Sequence, residues 1–339
     1  MSGEVRAVVH AATPGDGGPG HLRAVGRPAP VAGHGQAVVE VHAALLRPGA
    51  APPLVDGTVV GTAAAGVVAA VGTGVGGLQV GDAVTLPALV TCGTCGVCRA
   101  GRANLCPARQ RPGIDVDGWL AERVVVPAGL LVSAAATVPA ALAASVPGIV
   151  ADAYHALKRA GVGPDVSVAV VGADALGLHV TQLAALAGGV VTTLDDRPAA
   201  RERAADLGAD EVLTVGDRAL TDVLVEPVDR LFVRGPQPLT AAAAARVLAP
   251  GGRLVVLDSD DVAGDVPMPT DLLVRRELDV VGATGSTPED VVELLDLAAE
   301  GRLILHTAVG GRFTVSELGD AEAALGSDED GLLVVVDPR

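Results

Sequence analysis

Between Ala151 and Leu257 the sequence alternates two textures, and that alternation constrains the fold more than any other feature. Val166–Val171, Val190–Leu194, Val212–Val215, Arg230–Val233 and Arg253–Leu257 are short, apolar, largely β-branched runs. Helix-like stretches separate the first of them, at Leu176–Ala187 and Pro198–Leu207, and another, Ala151–Ala160, precedes them. A strand that is apolar on both faces must be covered on both faces, so this pattern predicts a parallel, doubly wound sheet. Upstream the texture differs. Residues 1–130 are rich in Gly, Val and Pro, with apolar runs at Val38–Val41, Ala64–Val71 and Arg123–Val126. Turn residues punctuate them at Gly72-Thr-Gly, Gly76-Gly77 and Gly81-Asp82, which predicts an antiparallel, barrel-like domain. From about Thr284 the mixed texture returns, with a helix at Pro288–Glu300 and a final strand at Leu332–Val336. At 339 residues the chain is long enough for two domains, each with its own core.

Composition excludes several function classes. Lys plus Arg is 24 against 40 for Asp plus Glu, a formal charge of −16. Such a surface repels a phosphate backbone, and Trp119, Tyr154, Phe232 and Phe313 are the whole aromatic supply for stacking on bases. Nucleic acid is therefore not expected as a partner, and neither is an anionic membrane surface. The start, Met1-Ser-Gly-Glu-Val-Arg, has no basic region followed by an apolar stretch. The longest uncharged stretch, Val124–Ala151, carries Pro127, Pro139 and Pro147, which a spanning helix would not tolerate. The expectation is a soluble, cytoplasmic protein.

All four cysteines fall within fifteen residues, as Cys92-x2-Cys95-x2-Cys98-x7-Cys106. Four thiolates on a glycine-rich loop suit tetrahedral Zn²⁺, and a closed four-sulfur site is structural because no position is left for substrate. Disulfides compete poorly in a chain with no secretory signature. An iron–sulfur ferredoxin run would place its last Cys after three residues rather than seven. Unliganded core cysteines at this spacing fit least well.

The cysteine spacing resembles that of the zinc-containing medium-chain dehydrogenase/reductase (alcohol dehydrogenase) family. Further landmarks are Gly61-x4-Gly66-Val-Val, Gly77-Leu-x-Val-Gly81-Asp-x-Val, Asp117-Gly118-x-x-Ala121-Glu122, Ala153-Tyr-His-Ala-Leu and Gly208-Ala-Asp210. The resemblance covers nearly the whole chain. It implies a GroES-like antiparallel β-barrel domain over 1–149 and 284–339, with the zinc lobe at about 90–110. It also implies a Rossmann-type nucleotide domain inserted at 150–283. A small-molecule substrate and a homodimer or homotetramer are implied by the same resemblance.

In family members a catalytic zinc is held by a Cys in the first lobe, a His-Glu pair and a further Cys before the first nucleotide-domain helix. Here the aligned positions are Arg47, the Thr62-Ala63 step after Gly61, and Gly148. The relay hydroxyl position is Gly49, and His10, His21, His34, His42, His155, His179 and His306 do not pair at ligand spacing. The expectation is a site without catalytic zinc. Arg47 can replace the metal as electrophile or anchor an acidic substrate, or it can be a structural arginine. Asp152 stands where the family often has Thr beside the nicotinamide, as a general base or as the partner of Arg47. Trp119 and Leu120 are expected to line the pocket.

After the strand Val166–Val171 comes Gly172-Ala-Asp174-Ala-Leu-Gly177, opening a helix, with Asp195 ending the next strand. This is the context of a Gly-x-Gly-x-x-Gly dinucleotide site, with Gly172, Gly177 and Asp195 as cofactor residues and Asp195 favouring NAD over NADP. Asp174 replaces the middle glycine. Like charges about 4–5 Å apart repel by roughly 3–4 kcal/mol at an effective dielectric near 20. Asp258, near the expected nicotinamide, and Leu332–Leu333, in place of a basic pyrophosphate contact, weaken the site in the same direction. Three readings remain open. The first is a reductase of an activated double bond or carbonyl, using NAD(P)H without catalytic zinc. The second is a non-redox dehydratase, isomerase or cyclase working through Arg47 and Asp152. The third is a catalytically silent binding protein.

Overall fold

The computed structural model describes residues 3–11, 21–47, 55–234, 241–257, 269–326 and 332–339. Gly49 and Asp258 lie outside these residues. The chain separates into two compact units, one of residues 1–151 and 285–339, the other of residues 152–284.

Among the described residues the strands in chain order are β1 (Glu4–Ala11), β2 (His21–Pro28), β3 (Gln36–Leu46), β4 (Ala63–Val71) and β5 (Ala83–Leu86). They continue with β6 (Arg123–Pro127), β7 (Val132–Ser133), β8 (Ser167–Val171), β9 (Val190–Leu194) and β10 (Glu211–Leu213). The remainder are β11 (Val228–Arg234), β12 (Leu248–Leu257), β13 (Asp279–Ala283), β14 (Val309–Thr314) and β15 (Leu333–Asp337). The helices that matter below are α1 (Ala151–Ala160), α2 (Ala175–Leu186), α3 (Pro198–Asp206) and α4 (Pro288–Ala299).

The second unit is a Rossmann-type sheet. Its strand order is β10-β9-β8-β11-β12-β13, and every pair is parallel. The order reverses beside β8, where such folds open their ligand crevice. Ala169, Leu194, Leu231, Leu248 and Leu254 are buried in its core, as two-sided apolar strands require.

The first unit is built on a seven-membered sheet ordered β14-β15-β3-β4-β5-β7, with β6 paired to β3. β3, β4, β5, β6 and β7 run antiparallel, while β14 and β15 are parallel to each other. Val334–Val336 of β15 pairs with Ala44–Leu46 of β3, so the chain end completes the sheet that the N-terminal residues begin. The buried side chains here are small: Ala7, Val8, Val39, Val41, Ala64, Val68 and Val84. Trp119 and Leu120 lie in this core, and the Trp119 indole N–H donates to the Pro87 carbonyl at 2.8 Å. The tryptophan therefore holds the Pro87 segment in place rather than offering a free ring to solvent. No helix among the described residues is long and apolar enough to cross a membrane.

Candidate functional site

The cysteine lobe is the one group of three or more potential metal-ligating side chains among the described residues. Its four sulfur atoms all lie within 4.8 Å of one another. Cys92 Sγ is 3.6 Å from Cys106 Sγ and 3.9 Å from Cys98 Sγ. A tetrahedron with 2.3 Å arms has edges of about 3.8 Å, so the thiols already stand at zinc spacing. The local fold explains how. Gly93 has φ +67, which lets the chain turn between the first two thiols. The Cys95 and Cys98 amides donate to the Cys92 and Cys95 sulfurs, both at 3.4 Å. Backbone N–H groups of Thr94 and Cys95 pull the Cys92 thiol down to about 6. Desolvation and the neighbouring thiols push Cys98 up to about 12. A dication at the centre would favour the thiolate at all four positions.

The positions that resemble catalytic-zinc ligands are occupied differently. Arg47 follows directly on β3, half-buried, two residues beyond the Leu45↔Ala63 pair. Ala63 is fully buried in β4, and the Thr62 amide donates to the Leu45 carbonyl at 3.0 Å. Gly148 sits in an irregular turn of helix with φ +95, where a side chain is strained, and an added Cβ would lie 3.2 Å from the Ala88 side chain. Pro147, the neighbour of Gly148, lines a small, partly open, largely apolar pocket of about 40 Å³. Ala88, Leu89, Thr287, Pro288 and Val291 contribute to its wall. Thr287 is locked there, because it caps α4 and exchanges hydrogen bonds with Asp290. Asp152 lies in the first turn of α1, half-buried, and both Asp152 and Arg47 have interaction partners.

In the second unit the glycine loop has the geometry a dinucleotide needs. Gly172 has φ +95, and no atom lies within 4 Å of where its Cβ would stand. Gly177 lets the helix press on the strand: a Cβ there would come within 1.9 Å of the Gly172 carbonyl oxygen. Asp174, the residue between them, is the N-cap of α2, and its Oδ1 accepts from the Gly177 amide at 3.0 Å. That amide is one of the donors a helix N-terminus presents to a bound phosphate. Asp195 is 8% exposed. Burial pulls its carboxyl upward, but the Arg197 guanidinium and the Ala173 and Arg197 amides outweigh this and hold it below the usual range. The glycine frame fits a dinucleotide, with the Asp174 carboxylate competing for the phosphate position.

Comparison with known proteins agrees with this arrangement. Residues 32–140 match the alcohol dehydrogenase GroES-like domain, and residues 175–300 match the zinc-binding dehydrogenase domain. An alcohol dehydrogenase of Geobacillus stearothermophilus is 31% identical over 256 residues, covering 72% of this chain and 73% of its own. This chain belongs to the zinc-containing medium-chain dehydrogenase/reductase family. An L-idonate 5-dehydrogenase of Vitis vinifera is 29% identical over 78% of this chain and 74% of its own. Among solved structures, a thermostable alcohol dehydrogenase from Pyrobaculum aerophilum with cobalt and zinc bound superposes with a TM-score of 0.84 at 28% identity, covering 99% of this chain and 100% of the other. A zinc-binding dehydrogenase from Sinorhizobium meliloti 1021 bound to NADP has a TM-score of 0.86 at 25% identity, with 99% and 100% covered. The family places this chain among alcohol dehydrogenase-like oxidoreductases.

The sequence did not announce two features. Arg197 takes the Asp195 carboxylate, although the Asp195-x-Arg197 spacing is a signal for such a contact. His179 on α2 is fully buried, with no hydrogen-bond partner at either ring nitrogen among the described residues. The alternating pattern marks α2 as a buried helix but does not say which polar residue it carries inward.

Proposed function

We propose that this member of the family is a nicotinamide-dependent reductase of an activated double bond or carbonyl that works without a catalytic metal and carries one structural zinc per chain. The observation that carries the reading is the set of residues at the ligand positions. Arg47, Thr62, Ala63 and Gly148 offer a guanidinium, a hydroxyl engaged with its neighbouring strand, a methyl and no side chain. A guanidinium is a permanent cation that donates to a carbonyl oxygen but does not acidify an alcohol as zinc does. That chemistry suits reduction better than alcohol oxidation. The small pocket lined by Pro147 suits a small, mostly apolar group of the substrate, with the Thr287 backbone fixed in its wall. When bound, the dinucleotide supplies the hydride. Gly172 and Gly177 shape its cradle, and Asp195 lies at its ribose end. Asp152 is assigned as a proton donor or acceptor, and Cys92, Cys95, Cys98 and Cys106 as the zinc ligands. A homodimer or homotetramer in the cytoplasm accompanies this reading by analogy with the family.

A second reading rests on Asp174. A carboxylate seated on the Gly177 amide stands where a pyrophosphate would, which favours a non-redox enzyme using Arg47 and Asp152, or a silent binding protein. The test is NAD(P)H oxidation with conjugated enones, enals and aldehydes. Reduction of one of these, with Arg47→Ala slower by about 100-fold, supports the first reading. An unchanged rate in that variant returns Arg47 to a structural role. Robust NAD⁺ reduction with ethanol or benzyl alcohol overturns the metal-free proposal.

A further inference from the structure

Thiol chemistry in this chain is confined to the cysteine lobe, because all four cysteines lie between 92 and 106. Arg47 and Gly148, at the positions that resemble catalytic-zinc ligands, hold no thiol. The four sulfurs are not equally placed. Cys92 is exposed, Cys95 and Cys98 are half-buried, and Cys106 is 0% exposed. Around Cys92 the surface is open. Gly93 and Thr94 are exposed, and beyond the chain neighbours no atom lies within 4 Å of where a Cβ would stand on Gly93 or Gly96. A small oxidant therefore reaches the Cys92 sulfur first and the Cys106 sulfur last. Yet Cys106 Sγ stands only 3.6 Å from Cys92 Sγ. An exposed sulfur with a shielded one behind it is the arrangement in which a sulfenic acid is resolved to a disulfide before it is oxidised further.

The fold of the lobe selects the pair. Cys98 Sγ is 3.9 Å from Cys92 Sγ, but Cys98 lies inside the helical turn Gly96–Arg99, and its carbonyl accepts from the Gly101 amide at 3.0 Å. Drawing Cys98 to Cys92 would unwind that turn. Cys106 stands just past the short turn Ala103–Leu105, outside any helix. At the base of the lobe Val90 and Gln110 exchange two backbone hydrogen bonds, both at 2.9 Å. A link from Cys92 to Cys106 lies just inside that pair, so it can take over the part a metal plays in closing the loop. Thr91, next to Cys92, and Ala103 line the same small pocket as Pro147, so a rearrangement of the lobe reaches the pocket wall.

We propose that the lobe is a site of reversible oxidation by hydroperoxides, in which Cys92 takes the oxidant and Cys106 resolves it, so that a Cys92–Cys106 disulfide replaces the metal. The proposal rests on the reading of the lobe as a structural zinc site. With hydrogen peroxide, the Cys92 thiolate attacks one oxygen and the O–O bond breaks. The sulfur becomes a sulfenic acid, and the other oxygen leaves as hydroxide. The Cys106 thiolate then attacks the Cys92 sulfur, the S–O bond breaks, and a second hydroxide leaves. Each hydroxide takes a proton from solvent. The two sulfurs have given two electrons to the peroxide, which becomes two waters. Cys95 and Cys98 are then the remaining ligands, and two thiolates do not complete a tetrahedral zinc site. A dithiol reductant returns both sulfurs to thiolates and restores the set of four.

The test treats the full zinc-loaded chain with excess hydrogen peroxide beside a colorimetric zinc chelator. The expected result is one zinc released for each disulfide formed, with peptide mapping assigning that disulfide to Cys92 and Cys106. Cys95 and Cys98 should become open to alkylation as the metal leaves, and a dithiol with added zinc should reverse all of these changes. Amide hydrogen exchange over residues 87–91 and 103–105 should rise on oxidation and fall again on reduction. Cys92→His keeps four ligands of a kind that zinc accepts, and it should release its metal at least about tenfold more slowly. A first disulfide between any other pair overturns the proposal, as does zinc that stays bound under peroxide or leaves with the cysteines driven to sulfinic acid. If Cys92→His holds no zinc, the order of events in the native chain decides. A native chain that carries no zinc when purified from zinc-containing medium overturns the zinc reading instead, and mapping of its disulfide still decides the pair.

Discussion

Replacing Asp174 with Gly separates the two function classes, and its effect can be worked from the structure. The Asp174 carboxylate accepts from the Gly177 amide at 3.0 Å. A phosphate oxygen using the same amide would bring its charge to about 4–5 Å from the carboxylate. At an effective dielectric near 20 that repulsion is roughly 3–4 kcal/mol per unit charge. Asp174 is only half-buried, so rotation into water and ionic screening reduce it. The expected gain in dinucleotide affinity is at least about tenfold, or about 1.4 kcal/mol. The stability cost is small. Exchanging an Asp N-cap for Gly costs a few tenths of a kcal/mol, and the φ of −74 at this position is one Gly adopts without strain. Asp174→Asn sharpens the test, because Asn keeps the cap and removes the charge; it should recover most of the gain if repulsion is the cause. The assay is titration of the three proteins with one dinucleotide at one ionic strength, alongside thermal melts. Native protein that binds as tightly as the glycine variant refutes the repulsion argument. Binding by none of the three favours the non-redox or silent reading.

Three further outcomes are expected. Elemental analysis should find one zinc per chain, and Cys95→Ser should lose the metal and destabilise the lobe; two zincs per chain would refute the assignment of the catalytic ligand positions. His179 should make the protein acid-labile. Burial pulls its imidazole from 6.5 down to about 4, although nearby Gln182 favours the charged form slightly without a formed hydrogen bond. Its folded value is lowered, so the unfolded chain takes up the proton first, and stability falls as pH drops from about 6.5 towards 4, by up to about 3 kcal/mol. His179→Gln should flatten that part of the pH–stability curve, and an unchanged slope would show that other groups govern it. Gly177→Ala should fail to fold or lose several kcal/mol, since its Cβ would meet the Gly172 carbonyl oxygen at 1.9 Å; a stable alanine variant would show that α2 can slide from the strand.

The alternation of buried strands and helices was legible because periodicity is a local property of the chain. Val190–Leu194 and Ala151–Ala160 form as read, and the other segments between 166 and 257 shift by a few residues at their ends. The cysteine spacing was equally legible, because a turn that closes over two or seven intervening residues leaves little freedom in where the thiols meet. Strand β13, the antiparallel pairing of β1 with β2 and the parallel pairing of β14 with β15 were not. Asp279–Ala283 is a run of only five residues interrupted by Gly282, with Ala283 its one buried residue, and pairing partners far apart in sequence leave no mark in either segment.

What the sequence determined by itself, then, is the family, the two fold types and the identity of the groups present at each aligned position. The tertiary structure decided what those groups are engaged in. Asp195 is an acid in either description, yet only the fold shows its acceptors taken by Ala173, twenty-two residues upstream, and by Arg197. Asp174 is a charge in either description, yet only the fold seats it on the Gly177 amide. A residue type states which bonds a side chain can make. Which of them it makes depends on which donors the packed backbone brings within about 3 Å, and that distance is a property of the whole fold.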